Sequence, residues 1–213
     1  MGIIQRNPLA DIGSQFYTVG LNQTALIVGL GNIGDQYGKT RHNVGFACVD
    51  AFTRSEEFDA WIEKKDLKCL YANKTLGSTR VIVIKPTTLM NLSGEAVQAT
   101  MRYFNVDLTR ILVVHDELDI PFGQLRMRVG GSDAGHNGIK SITGLVGGEE
   151  YGRIRVGIGP KDPEDIDNAA FVLQRFSEQQ LTHMPDLTRE VGSIINEFIF
   201  GGELRAETRS FII

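Results

Sequence analysis

Only two cysteines, Cys48 and Cys69, occur in the chain, and they lack metal-ligand spacing. Cys48 falls on the apolar side of a helical pattern, where a buried reduced thiol is expected rather than a disulfide. No apolar run approaches the roughly 18–20 residues that a membrane helix needs, so no membrane partner is expected. Residues 1–24 lack a basic stretch followed by an apolar core, so no secretory signal is read there and a cytoplasmic location is expected. Excess basic charge is also missing: the formal net charge is −4. That argues against a surface coated in nucleic acid and confines any RNA contact to one local face. There is no G-x-S-x-G elbow, and neither cysteine sits in a nucleophile context, so no acyl-enzyme is expected. Internal repeats and low-complexity segments are absent as well.

What remains is an ordinary globular composition, 42% hydrophobic and 23% charged over 213 residues, long enough for one domain with a substantial core. Residues 1–23 show no sustained periodicity and read as an N-terminal extension without an assignable role. From residue 24 to 213 strands alternate with helices. Thr24–Gly29 reads as a buried strand and Arg41–Arg54 as a helix. Leu67–Leu76 and Thr79–Lys85 form a hairpin turning at Gly77-Ser78. Pro86 stops the second of these, and Thr87 or Thr88 is placed to cap the helix whose inner face includes Leu92, Ala96 and Tyr103 or Phe104. The apolar run Ile111–Val114 reads as a central strand emerging into His115-Asp116-Glu117. Gln124–Val129 and Arg153–Ile158 alternate as strands do, and a glycine run over 130–138 opens onto a helix at Ile139. Ser177 is placed to cap a helix over Glu178–Phe200, which Pro185 should kink or delay. The fold expected is α/β: a single-domain twisted, mixed β-sheet flanked by helices.

The chemistry concentrates around Leu26–Phe46. Gly29, Gly31 and Gly34 fit the dinucleotide pattern G-x-G-x-x-G, but no helix begins within the turn and no acidic residue ends a second strand about 20 residues on. Thr40-Arg41-His42-Asn43 instead places a histidine at a helix start. A histidine there suits a general base, its ring kept neutral by the helix N-terminus. Asp116, at the end of a buried strand, is the expected partner, fixing the tautomer and stabilising the cation as it forms. The carboxylates of His115-Asp116-Glu117-x-Asp119 leave a hard-metal site as the competing reading of that stretch. Arg126 and Arg128 share one strand face. Lys140, Arg153 and Arg155 join them if the glycine loop folds back, giving a surface suited to phosphates.

Five ordered blocks carry a resemblance to a known family: GLGNIGDQYGKTRHNVG, KPTTLMNLSG, HDELDIPFGQLRMR, GGSDAGHNGIKSI and GRIRVGIG. Together they resemble the bacterial peptidyl-tRNA hydrolases over most of the chain. The resemblance implies a water-activating His42 oriented by Asp116. It also implies a peptide-end pocket from Asn32, Asn91 and Asn137, walls from Tyr37, Leu89 and Met90, and a supporting His136. Asn32 would separate N-blocked from free aminoacyl ends, and Asn137 would hold the water or the acyl oxygen. Arg128 and Arg155 match the family at its RNA-contacting positions, with Arg126 beside them. The chain departs from the family pattern at Ile33, Leu89 and Ser132-Asp133-Ala134. The expectation is thus a monomeric esterase acting on peptidyl-tRNA without metal or other cofactor. The alternative is a non-catalytic RNA-binding protein on the same fold.

Overall fold

The computed structural model describes residues 23–212. The expected extension lies outside these residues except for Gln23, which opens the first strand. In β1 (Gln23–Gly29), Ala25 to Val28 are completely buried, as a continuous apolar run requires in a parallel sheet covered on both faces. A 3-10 turn, Arg41–Asn43, leads into α1 (Val44–Ser55). Then follow β2 (Ile62–Lys64), β3 (Cys69–Leu76), β4 (Thr79–Pro86) and α2 (Ser93–Phe104). The second half contains β5 (Ile111–Pro121), β6 (Gln124–Val129), α3 (Asn137–Val146) and β7 (Gly152–Gly159). It closes with α4 (Asn168–Val172), α5 (Glu178–Thr182), α6 (Met184–Gly201) and β8 (Glu207–Ser210).

The strands form one eight-stranded sheet in the order β2-β3-β4-β1-β5-β7-β6-β8. The four inner strands, β4, β1, β5 and β7, run parallel, and the outer pairings are antiparallel. The two-residue period of β1 divides the core. Ala25 and Ile27 join the cluster under α1 and α6, while Leu26 and Val28 join the one under α2 and α3. Each fully buried Leu, Ile or Val among them stabilises the fold by about 1.5–3 kcal/mol. Cys48 and Cys69 are free thiols in these two layers, pushed up to about 12 and about 11 by burial, and are therefore unreactive.

Several boundaries differ from the sequence reading. Residues 41–43 form a 3-10 turn rather than the first turn of α1. Lys68 adopts a left-handed conformation, φ 54°, so β3 starts at Cys69 rather than Leu67. Neither Thr87 nor Thr88 caps a helix: α2 begins at Ser93, and the Thr88 hydroxyl is buried without a partner. The C-terminal helix is two helices. Ser177 and Gln180 close a capping box on α5, and Pro185 sits in the first turn of α6, where its missing N–H costs nothing. β5 runs on to Pro121, so His115, Asp116 and Glu117 lie within the strand rather than beyond it.

Candidate active site

The site exists because two neighbouring strands end at different heights. β1 pairs with β5 only as far as Gly29 opposite Val114, while β5 continues along β7 through Asp116 opposite Val156 and Glu117 opposite Gly157. Above the end of β1 this leaves a notch at the carboxyl ends of the parallel strands, where ligands collect in such sheets. The 41–43 turn fills one side of it. Gly45 is what brings that turn close, because a Cβ there would lie 2.3 Å from the Val114 carbonyl oxygen and 2.5 Å from the Leu30 amide nitrogen. Gly29 and Gly31 similarly give room to Val49 and Phe46 of α1. These glycines let a helix lie against strand ends.

At the notch His42 Nδ1 lies 2.9 Å from Asp116 Oδ1, and His136 Nε2 lies 3.0 Å from the same oxygen. The tautomers follow from the network. His136 Nδ1 accepts from the Gly138 and Ile139 amides at 3.1 and 3.3 Å, capping α3, so its Nε2 carries the proton that goes to Asp116. His42 donates its Nδ1–H to the same carboxylate, leaving Nε2 as a free lone pair. Burial alone would raise the Asp116 carboxyl. His136 and then His42, by electrostatic attraction and by the N–H groups they donate, more than reverse this and hold it well below the usual carboxylate range. His115 lies edge-on to His136 with ring centroids 4.7 Å apart. Burial, and then the electrostatics of the neighbouring His136, holds His115 well below the ordinary histidine value, so it stays neutral.

A cavity of about 680 Å³ opens over this cluster, and every residue expected as base, partner or pocket lines it: His42, Asp116, Asn32, Tyr37, Leu89, Met90, Asn91, His136 and Asn137. Asn32 is fixed on three sides. Its Oδ1 accepts from the Met90 amide at 2.8 Å, its own amide donates to Asn43 Oδ1 at 2.9 Å, and its carbonyl accepts from Asn43 Nδ2 at 2.9 Å. The Asn32 Nδ2 is thereby left to donate into the cavity. Leu89 is exposed at the rim and Met90 is buried against α3.

The arginines lie apart from the cavity wall. Antiparallel pairing sets Arg126 opposite Arg155 and Arg128 opposite Arg153, so four guanidiniums occupy one face of β6 and β7. Strand pairing, rather than a folded-back loop, assembles them. The glycine loop covers part of this face: Arg153 is only 2% exposed, donates to the Ser132 carbonyl at 2.8 Å and lies over Tyr151. It is sealed from any phosphate, unlike Lys140, which is exposed on α3. Arg155 donates from Nε and Nη2 to Glu117 Oε2, at 3.0 and 2.9 Å.

The residues of the hard-metal reading do not converge: Glu117 holds Arg155, Asp119 is exposed, and His115 Nδ1 donates to the Asp116 carbonyl at 2.7 Å. His42, Asp116 and His136 do have ligand atoms within 4.8 Å of one another. Two of those atoms, however, are the protonated nitrogens that donate to Asp116. A metal there would have to displace both protons and shift the His136 tautomer that caps α3.

The sequence profile of the peptidyl-tRNA hydrolase family matches residues 26–211. The chain belongs to the peptidyl-tRNA hydrolase family. It is 41% identical to the peptidyl-tRNA hydrolase of Shouchella clausii, over 82% of this chain and 92% of the relative. It is 40% identical to that of Bdellovibrio bacteriovorus, over 86% and 97%. The crystal structure of peptidyl-tRNA hydrolase from Acinetobacter baumannii superposes with a TM-score of 0.77 at 29% identity, covering 84% of this chain and 90% of that one.

The departures from the peptidyl-tRNA hydrolase pattern are absorbed locally. Asn43 holds both backbone groups of Asn32, so the turn at Ile33 is fixed without a proline. Asp133 accepts from the Gly135 amide at 2.8 Å, and its carbonyl accepts from the His136 amide at 2.8 Å. Its side chain thus shapes the turn that delivers His136, with Ala134 and Gly135 at positive φ. Three contributors escaped the sequence reading. Asn43 was visible inside R-H-N, but its partner is known only from the fold. His115 reads as a residue just past the Ile111–Val114 strand, and nothing in the sequence sets it against His136. The cavity wall from Asp167 to Leu173 carries no periodic signal at all.

Proposed function

We propose that the chain hydrolyses the ester between a peptide's C-terminus and the 3′-terminal ribose of tRNA. The observation that supports this best is an imidazole locked by a buried carboxylate, with its free nitrogen beside a cavity set with asparagine amides. His42 Nε2 takes a proton from water, and the water oxygen attacks the ester carbonyl carbon. The bond to the ribose 3′ oxygen then breaks, and the proton held on His42 passes to that oxygen. Asp116 stabilises the imidazolium in between. Asn32 Nδ2 and Asn137 would donate toward the peptide end and the acyl oxygen, with Asn91 beside them and Tyr37, Leu89 and Met90 as walls. Arg126, Arg128 and Arg155 would contact phosphates, which position RNA without reading sequence. The enzyme acts as a monomer in the cytoplasm, through one catalytic domain over residues 24–213 behind an N-terminal extension. Among the described residues, no helix is long and apolar enough to cross a membrane.

The deciding assay is release of N-acetyl-aminoacyl groups from charged tRNA with EDTA present, comparing wild type with His42→Ala. Fast wild-type hydrolysis that collapses in the variant supports the reaction, the base and independence from metal. A wild-type chain that binds the tRNA without cleaving it supports the non-catalytic RNA-binding alternative.

A further inference from the structure

The arginine face poses an electrostatic problem whose solution is informative. Four guanidiniums sit as two directly opposed cross-strand pairs, an arrangement that destabilises a sheet unless carboxylates intervene. Among the described residues a single side chain, Glu117, forms a salt bridge with this array, and it does so with Arg155. If the carboxylate served only to neutralise buried charge, it would belong beside Arg153. That residue is 2% exposed, and its Nε and Nη2 are buried without partners, whereas the Arg155 side chain is 18% exposed. The acid sits beside a less buried arginine than the one that burial would select.

What distinguishes Arg155 is its position. Glu117 lines the cavity, so the arginine it holds is the member of the array joined directly to the reacting end of the site. The grip is also specific. Glu117 Oε2 takes both Nε and Nη2, and Oε1 is anchored by the Asp119 amide at 3.3 Å. The acid is itself held in a side chain only 4% exposed. A guanidinium held through one edge keeps its other nitrogen, Nη1, free for a ligand and cannot swing.

We infer that Glu117 is a positioning residue: it aims Arg155 at the RNA backbone at a fixed distance from the ester, so that phosphate contact and ester placement are set by one rigid unit. This rests on the reading of Arg155 as a phosphate contact. Glu117 touches neither the ester nor the water. Its loss therefore falls on capture of the polynucleotide rather than on bond breaking.

The experiment compares Glu117→Gln, Arg155→Gln, Arg155→Lys and the Glu117→Gln/Arg155→Gln double variant. Two substrates are used: N-acetyl-aminoacyl-tRNA, and N-acetyl-aminoacyl-adenosine, which has the ester and ribose but no phosphate. Glu117→Gln should raise KM for the tRNA substrate about tenfold with kcat changed less than twofold, and should lower the salt slope of binding by about 0.7–0.9, one phosphate contact. The loss should be missing on the adenosine ester. The double variant should be no worse than Arg155→Gln alone, the signature of residues acting as one unit. Arg155→Lys keeps the charge but loses the fork, and should reproduce the KM loss with Glu117 intact; this arm stands even if Glu117→Gln fails to fold. Equal losses on both substrates, additive losses in the double variant, or a fully active Arg155→Lys would each overturn the inference. Filter binding of uncharged tRNA separates it from the functional reading. A chain that never cleaves but loses tRNA affinity in Glu117→Gln and not further in the double variant retains this assignment and loses that one.

Discussion

Asp116 and Glu117 are adjacent buried carboxylates on one strand, and they face opposite kinds of partner. Asp116 is held by two imidazoles, groups that can both give and accept a proton. Glu117 is held by a guanidinium, which only donates. The alternation of a β-strand sends consecutive side chains to opposite faces. One residue step therefore separates a proton-handling centre from a permanent ion pair, and neither disturbs the other's partner. Chemistry and anchoring share a strand without sharing a hydrogen bond.

The comparison breaks hardest on its imidazole side. His42→Ala and Asp116→Asn should each lower single-turnover hydrolysis by about 10²–10⁴-fold, the first by removing the base and the second by freeing its tautomer. Circular dichroism should show both variants folded, and a fully active His42→Ala would remove the base assignment. Gly45→Ala tests the backbone contact that sets the His42–Asp116 distance. With a Cβ forced to 2.3 Å from a carbonyl oxygen, it should lose about 3 kcal/mol of stability in urea unfolding, and activity with it. A wild-type midpoint would show that α1 can slide.

Smaller effects sharpen the contrast. His136→Ala removes one donor from Asp116 and the cap of α3, so about 1 kcal/mol of stability and about tenfold in rate should be lost together. Loss of stability with full rate would make His136 a cap alone. His115 gives a test by pH. Its folded value lies below the unfolded value of about 6.5. Above about pH 6.5 both states are neutral there. As pH falls below that, the unfolded chain takes up the extra proton and stability drops, by at most about 1.4 kcal/mol per pH unit for one group. His115→Phe should flatten that part of the stability profile from pH 6.5 downward. An unchanged slope would place the burial cost elsewhere. Asp116 acts at lower pH: its stabilisation is fully present above the unfolded carboxylate value of about 3.9 and is lost progressively as pH falls from there toward its depressed folded value.

That His42, Asp116 and the asparagines would gather at one cavity is legible because they sit in short blocks at strand ends and helix starts, where a polar residue has few structural reasons to be. The sheet was readable from the apolar runs of β1 and β5 and the alternation of β6 and β7. Arg153 shows what a linear reading misses. Alternation places it with Arg126, Arg128 and Arg155, and only the glycine loop decides that it is sealed while they are not. His136 is similar, since capping α3 and donating to Asp116 are separate facts until the loop turns. The short helix α4 follows an acidic, proline-bearing stretch with no period to detect, so a whole cavity wall stayed hidden. Pro185 was correctly a boundary, but whether it bends or restarts a helix depends on the capping box at Ser177.

The Gly45 contact has one more consequence. Because α1 meets Val114 and Leu30 backbone to backbone, the wall of the cavity bearing His42 and Asn32 cannot be remodelled by exchanging side chains. The opposite wall is different: Leu89 and Leu173 are 54% and 44% exposed, and α4 is five residues long. Variation that alters which peptides fit has one direction open to it, and substrate range in this enzyme can be retuned from the Leu89 and α4 side while the reacting geometry is inherited unchanged.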